Sequence, residues 1–338
     1  ANRDSPLRIK RIAIVGGYGL VRREALGILE AMDVPSANIG VFGSARSAGT
    51  GITYGDARLT IAELAEASLH DFDVALFCTD ASTSRRYAPL AIQRGVRVVD
   101  NSSAFRLDGD APLVIPEING DKLDAMPTLV ANPNCSTIIL LMAIEPFRQA
   151  FGVSSAIVST YQAVSGAGRG ALEELRMQTG DVLAGRSPAP GVFPLPCAFN
   201  VFPHESDVDA STGMNLEEQK IVAETRKILE APRFDVAPTC VRVPVERCHS
   251  QSIVLELERS ATTGGVAGVA GAFPGPAFNA DPHARVSPRD ISGTDLVSIS
   301  RARLSRGGRR LTLWVCGDQL RKGAALTAIQ IAERLAAD

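Results

Sequence analysis

Arg11-Ile12-Ala13-Ile14-Val15 passes directly into Gly16-Gly17-Tyr18-Gly19, and an amphipathic stretch follows from 21 to 32. A short apolar strand, a tight glycine turn and a helix, in that order, make the first half of a dinucleotide-binding unit. The constraint is strong because the pattern continues. Strand-like runs recur at 39–42, 73–77, 96–99 and 128–130, with a helical pattern at 82–94. Strands alternating with helices predict a parallel sheet covered on both faces. The glycine turn taken singly is a weak signal, since any strand-to-helix turn favours glycine. The third glycine of the usual spacing also falls on Arg22.

The pattern changes near residue 153. β-rich runs appear at 155–164, 239–245, 253–257, 296–304 and 311–316, separated by helical stretches at 170–183 and 216–229. These predict an α+β second domain, mostly antiparallel, with helices packed on one side. The Gly-, Ala- and Pro-rich segment 262–282 reads as a mobile connection, and 320–337 as a terminal helix. The 338 residues suit two domains. The boundaries expected are 1–134 plus 320–338 for the first and 135–319 for the second.

With 45% apolar and 21% charged residues, the chain can bury a sizeable core without disulfides. Lys+Arg 35 against Asp+Glu 37 argues against a nucleic-acid or polybasic membrane binder. No apolar run approaches the roughly 18 residues of a membrane span, and Ala1-Asn2-Arg3-Asp4-Ser5 lacks the apolar core of a signal peptide. The six cysteines form no CxxC pair. That reads as reduced thiols of a cytoplasmic protein, with neither a disulfide framework nor a metal site.

Four clusters carry chemistry. In Ala131-Asn132-Pro133-Asn134-Cys135-Ser136-Thr137, the proline forces a turn and an apolar helical run follows. Cys135 is thereby placed at a helix N-terminus, where free N–H groups and the dipole favour a thiolate and can hold an oxyanion. A cysteine taken alone is more often a core residue; the turn-plus-helix setting reverses that. His249 lies where a strand pattern meets a turn, and could donate and accept a proton, although an isolated histidine is usually structural. Tyr161-Gln162-Ala163-Val164-Ser165-Gly166-Ala167-Gly168 is a strand end breaking into a glycine loop that lets backbone approach a ligand. Glu217 and Lys220 share one helix face; the plain reading is a solvated ion pair.

Together these motifs resemble the aspartate-β-semialdehyde dehydrogenase family, over 11–333. The matching segments are NPNCST at 132–137, TYQAVSGAG at 160–168, RCHSQ at 247–251, DNSSAFR at 100–106, SARSAG at 44–49, PEIN at 116–119 and GDQLRKGAA at 317–325. The resemblance implies a Rossmann-type domain and a catalytic and dimerisation domain. It makes Cys135 the nucleophile, His249 the acid/base, and Gln162 and Asn134 the rest of the catalytic set. It assigns Arg242 to the substrate α-carboxylate, Glu217 to the ammonium group, and Arg106 and Lys220 to phosphate. Gly16, Tyr18, Gly19, Leu20 and Val21 would form the dinucleotide turn. Ser44, Arg46 and Ser47 would read a 2′-phosphate, implying NADP, while Ser165, Gly166 and Gln319 would line the nicotinamide. The implied reaction converts aspartyl β-phosphate and NADPH to aspartate semialdehyde and phosphate through a thioacyl enzyme, in a homodimer or homotetramer.

Three positions depart from the family pattern, all near the cofactor turn: Tyr18, Arg22 and Asp80. An Arg22–Asp80 ion pair across the diphosphate position would account for two of them. Two other readings follow: an acyltransferase that passes the thioacyl group to an amine or other nucleophile, and a catalytically silent partner protein.

Overall fold

The computed structural model describes residues 9–16, 19–65 and 69–336. The chain divides into two compact units, 1–133 with 324–338, and 134–323.

In the first unit the elements run β1 (Ile12–Val15), α1 (Leu20–Ala31), β2 (Ile39–Gly43), β3 (Gly51–Tyr54), β4 (Ala57–Glu63), β5 (Val74–Phe77), α2 (Ala81–Gln93), β6 (Arg97–Asp100), the short α3 (Pro116–Asn119) and β7 (Leu129–Ala131). The chain returns to this unit with the helix Leu326–Leu335. Among the described residues the strands form one sheet in the order β3-β4-β2-β1-β5-β6-β7. Every pairing is parallel except the β3–β4 hairpin. β1 and β5 are buried at every position, as expected of central strands covered on both faces. α1 presents Ala25, Leu26, Ile28 and Leu29 to the core, and Ile329, Ala332 and Leu335 of the last helix join the same cluster. Burying a leucine or isoleucine stabilises by about 2 kcal/mol, so this stripe, more than propensity, fixes α1. Strand order reverses at β1, the switch point where such sheets bind ligands.

The second unit opens with α4 (Cys135–Phe151), followed by β8 (Val153–Gln162), α5 (Arg169–Leu183), β9 (Phe202–Pro203), α6 (Leu216–Ile228), β10 (Asp235–Arg242), β11 (His249–Leu257), α7 (Thr263–Ala272), β12 (Pro276–Phe278), α8 (Pro288–Ile291), β13 (Val297–Ser305) and β14 (Arg310–Gly317). The sheet order is β12-β13-β14-β11-β8-β10-β9. It is mostly antiparallel, with parallel pairs β8–β10 and β12–β13. α4 is buried from Ser136 to Phe147 and packs on this sheet.

One expectation is corrected here. The segment 262–282 holds α7 and β12. Thr262 caps the helix through Gly265 N–H at 3.1 Å, and Val266 and Ala270 are buried. Tertiary packing therefore overrides the poor helix propensity of glycine. The hairpin β3–β4 was not anticipated, because Leu59 and Ile61 are the buried positions of β4, too short an alternation to read. Among the described residues no helix is long and apolar enough to cross a membrane.

Candidate active site

Three strands of the second unit deliver side chains to one end of its sheet. β8 and β10 run parallel, with Gln162 opposite Arg242. β11 runs against β8, so its first residue, His249, falls at the same end. The N-terminus of α4 completes the group: Gln162 Nε2 donates to Ser136 Oγ at 2.9 Å, and Gln251 Nε2 to the Ser136 carbonyl at 2.9 Å.

Cys135 is the first residue of α4, behind the N-cap Asn134. Asn134 Oδ1 accepts from the N–H groups of Ser136 and Thr137, at 2.9 and 3.3 Å. Its amide nitrogen donates to Glu217 Oε1 at 2.8 Å, and its backbone N–H to Glu224 Oε2 at 2.6 Å. All six cysteines are free, and Cys135 and Cys78 are half-buried while the rest are buried. Burial pushes the thiols of Cys78, Cys197 and Cys240 up to about 12, 11 and 12, which makes them poor nucleophiles. Cys135 alone of the six starts a helix, with the N-terminal N–H groups beside it.

α6 opens with a reciprocal cap between Asn215 and Glu218, which aims Glu217 at the α4 N-terminus. Glu217 is buried and lies 3.1 Å from Lys220. The pair is thus not a solvated one. Burial works to raise the Glu217 carboxyl, but Lys220, His204 and the Asn134 amide outweigh it and hold it at about 2. Lys220 itself is half-buried.

His249 is buried, and its Nδ1 accepts the Ala163 N–H at 3.0 Å. A backbone N–H can only donate, so the ring proton of the neutral form sits on Nε2. Nε2 has no hydrogen-bond partner among the described residues. Burial, reinforced by the Arg242 charge, pushes the imidazole down to about 3. A Cβ on Gly166 would stand 3.3 Å from Nε2; glycine keeps that approach open.

Arg242 is 2% exposed. Its Nη2 and Nε bond the two Glu205 oxygens at 2.6 and 3.2 Å. Nη1 donates to the Ala163 carbonyl at 3.0 Å, and Nη2 also faces His204 Nε2 at 3.0 Å. The guanidinium lies 5.0 Å from the Phe193 ring centre. Gln319 bridges Ser165 Oγ, at 2.6 Å, and the Cys248 N–H, at 2.8 Å. The structure therefore brings together Asn134, Cys135, Gln162, Ser165, Gly166, Glu217, Lys220, Arg242, His249 and Gln319. Glu205, His204 and Glu224 were missed. Glu224 shares a helix face with Glu217 by its spacing of seven; nothing local in the sequence singles out Glu205.

The remaining positions lie in the first unit. Arg106 donates to the carbonyls of Asn132 and Asn101, at 3.0 and 2.8 Å. Gly16 has φ +139°, and a Cβ there would meet the Cys78 carbonyl at 2.5 Å, so only glycine fits where β1 passes β5. Gly19 precedes α1 as N-cap, followed by Leu20 and Val21. The helix start carries no side-chain cap and no acidic residue in its first turn, the setting in which a helix N-terminus favours an anion such as a dinucleotide diphosphate. After β2, Ser44 and Arg46 are exposed. Ser47 is buried, and its hydroxyl donates to the Ser44 carbonyl at 2.9 Å; it shapes the turn and does not offer that proton outward. Tyr18 lies outside the described residues.

The expected Arg22–Asp80 ion pair is not formed. Asp80 is the N-cap of α2: it accepts from Thr83 N–H at 3.0 Å, Thr83 Oγ1 at 2.9 Å and Ser82 Oγ at 2.5 Å. Those bonds, the one from Ser82 foremost, pull its carboxyl down to about 2. Arg22 acts instead on Cys78, where its charge opposes the upward effect of burial and Asp100.

Comparison with known proteins agrees with this layout. A family profile described as "Semialdehyde dehydrogenase, NAD binding domain" matches residues 11–126, and one described as "Semialdehyde dehydrogenase, dimerisation domain" matches 144–322. With the parallel sheet, its glycine turn and the second mixed sheet, they define an oxidoreductase of the semialdehyde dehydrogenase class. Aspartate-semialdehyde dehydrogenase of Bacillus subtilis (strain 168) is 39% identical over 336 residues, covering 96% of each chain. That of Aquifex aeolicus (strain VF5) is 40% identical over 332 residues, covering 96% of this chain and 97% of the other. The structure of aspartate semialdehyde dehydrogenase II from Vibrio cholerae, complexed with ASA, superposes with a TM-score of 0.91 at 35% identity, covering 96% and 97%. The chain belongs to the aspartate-semialdehyde dehydrogenase family.

Proposed function

We propose that the chain interconverts aspartyl β-phosphate and aspartate semialdehyde through an acyl thioester on Cys135, with NADP as the nucleotide. One observation carries the reading: Cys135 starts a buried helix at the sheet end where Gln162, Glu217, Arg242 and His249 converge. Attack of the thiolate on the β-acyl phosphate releases phosphate and leaves a carbonyl that accepts hydride far better than a carboxylate does. Bound NADPH would supply that hydride, held by the N-terminus of α1 after Gly16 and Gly19, with Arg46 toward a 2′-phosphate. Glu217 offers an anionic carboxylate to the substrate ammonium, and Arg242 a guanidinium to its α-carboxylate. Gln162 orients the acyl group. His249 holds its proton at Nε2 and offers it to the substrate oxygen as negative charge develops there. It can accept a proton at that atom only after one has left. Lys220 and, by its motif position, Arg106 are the phosphate-binding cations.

Because Asp80 bonds Ser82 and Thr83 in place of Arg22, that ion pair does not occupy the diphosphate position, which removes one motive for the acyl-transfer reading. A homodimer through the second unit is part of the proposal, supported by exposed Phe199, Val201 and Val192; light scattering at graded concentrations tests it. The decisive assay follows phosphate-dependent oxidation of aspartate semialdehyde with NADP and with NAD. Turnover with NADP, and a mass increase matching the aspartyl group on wild type but not on Cys135→Ala, is expected. Turnover by the alanine variant, or none by wild type at millimolar nucleotide, rejects the reading.

A further inference from the structure

The arginine assigned to the substrate carboxylate already holds a carboxylate. Of the five N–H bonds of Arg242, two are directed at Glu205 and one at the Ala163 carbonyl, and His204 Nε2, 3.0 Å from Nη2, closes off the second Nη2 hydrogen. A single Nη1 hydrogen remains, on the side facing Gly166, whose Cβ position lies 3.8 Å from Nη1. One donor cannot form the two-bonded fork that makes arginine selective for carboxylates. We infer that Glu205 is an internal competitor for the substrate α-carboxylate: it seals Arg242 between turnovers and must swing out for substrate to seat.

The two partners are unequal in freedom. Arg242 is pinned by the Ala163 carbonyl, His204 and the Phe193 ring, and its side chain is 2% exposed, whereas that of Glu205 is 18% exposed. Glu205 follows β9, a two-residue strand on the outer side of β10. Its move therefore disturbs little else, while a move by Arg242 would empty a packed site. Burial works to raise the Glu205 carboxyl, and the guanidinium outweighs it, so the pair is ionic when closed.

Exchange of one carboxylate for another conserves charge around a buried cation. Without Glu205, the unliganded state would strand Arg242 as an unpaired buried charge next to His204 and His249. The device has a cost: apparent substrate affinity falls by the fraction of molecules in which Glu205 has moved aside. It also gives product a competitor that recaptures the arginine as the semialdehyde leaves.

The inference rests on the proposed role of Arg242, and the test separates the two. Wild type, Glu205→Gln and Glu205→Asp are compared on aspartate semialdehyde and on 3-aminopropanal, which lacks the α-carboxylate. Wild type should prefer aspartate semialdehyde, as a clamp on the α-carboxylate requires. The glutamine variant should lower its KM roughly tenfold, with no matching change for 3-aminopropanal, so that the specificity ratio rises. The aspartate variant keeps the cation paired, and hence the fold, but reaches less far; it should move the ratio the same way by less. Wild type without preference between the two aldehydes overturns the clamp and the inference together. A preference that persists while both variants leave the ratio unchanged or lower it makes Glu205 a structural partner and overturns the inference alone.

Discussion

The two units treat their polar groups in opposite ways. At the start of α4 the cap is supplied by Asn134, its amide is taken by Glu217, its N–H by Glu224, and the nearby arginine by Glu205. At the start of α1 there is no side-chain cap and no acidic residue in the first turn. Around Cys135 the second unit is organised before any ligand arrives, by buried groups that satisfy one another, and the Glu205–Arg242 pair is the one contact inferred above to be exchanged for substrate. The start of α1 has no such set of side chains. On the proposed function, preorganised charge serves the reacting centre, where reorganisation during the reaction would raise the barrier, and an uncapped helix start suits an anionic ligand that must bind and leave.

The contrast breaks most sharply at Cys135. Cys135→Ala should lower turnover by about three decades or more while the urea midpoint moves far less, because the cap of α4 belongs to Asn134 and is kept. Activity above about a tenth of wild type would remove the nucleophile. Arg242→Leu should lower kcat/KM by two to three decades and, unlike the cysteine change, also destabilise the fold by about 1–3 kcal/mol, since the Ala163 carbonyl loses its buried donor. A loss of activity without loss of stability would mean that another donor satisfies that carbonyl.

Acid probes the same network. His249 is held at about 3, so the unfolded chain binds its proton first as pH falls. The contribution of His249 to stability is full above pH 6.5, the ordinary histidine value, and declines as pH drops toward 3, by at most about 1.4 kcal/mol per unit. Glu217, held at about 2 against an ordinary 4.5, contributes stability above pH 4.5 that is lost toward pH 2. His249→Asn should therefore reduce the slope between pH 6.5 and 4.5, where His204, also lowered by burial, supplies the remainder, and keep the steeper part below. Denaturation midpoints across that range check it; an unchanged upper slope would show that His249 is protonated in the native state.

The smallest effect belongs to the open helix. Leu20→Glu places an acid in the first turn of α1. It should raise stability by a few tenths of a kcal/mol through the helix dipole yet weaken NADPH binding about tenfold by charge repulsion. Fluorescence titration of NADPH reads this out, and equal or tighter binding would take the diphosphate away from that helix end.

How much of this was legible depended on how local each cause is. β1, β5 and α1 could be read because their burial follows from a few consecutive residues. Asn134 and Cys135 could be read because cap, proline and helix are adjacent. β3–β4 escaped because its buried alternation is two residues long, and α7 because what holds it is packing against elements far along the chain. Glu205 and Arg242 are 37 residues apart and meet only once β9 and β10 pair. Asp80 misled for a related reason: its charge is visible in the sequence, but its task as a helix cap is a matter of geometry.

Asn134 holds its place through the two ends of one amide. The oxygen caps α4 and the nitrogen reaches Glu217. Aspartate would preserve the cap but set carboxylate against carboxylate; serine would cap, but its single oxygen would have to donate to Glu217 from the point that accepts from the helix; glutamine carries both groups on a stem too long for an N-cap. Of the residues that make good caps, asparagine alone performs both tasks here. Mutational drift at this position is therefore closed from two directions at once: an engineer retuning the pocket through Glu217 inherits a constraint from the helix, and one stabilising the helix inherits a constraint from the pocket.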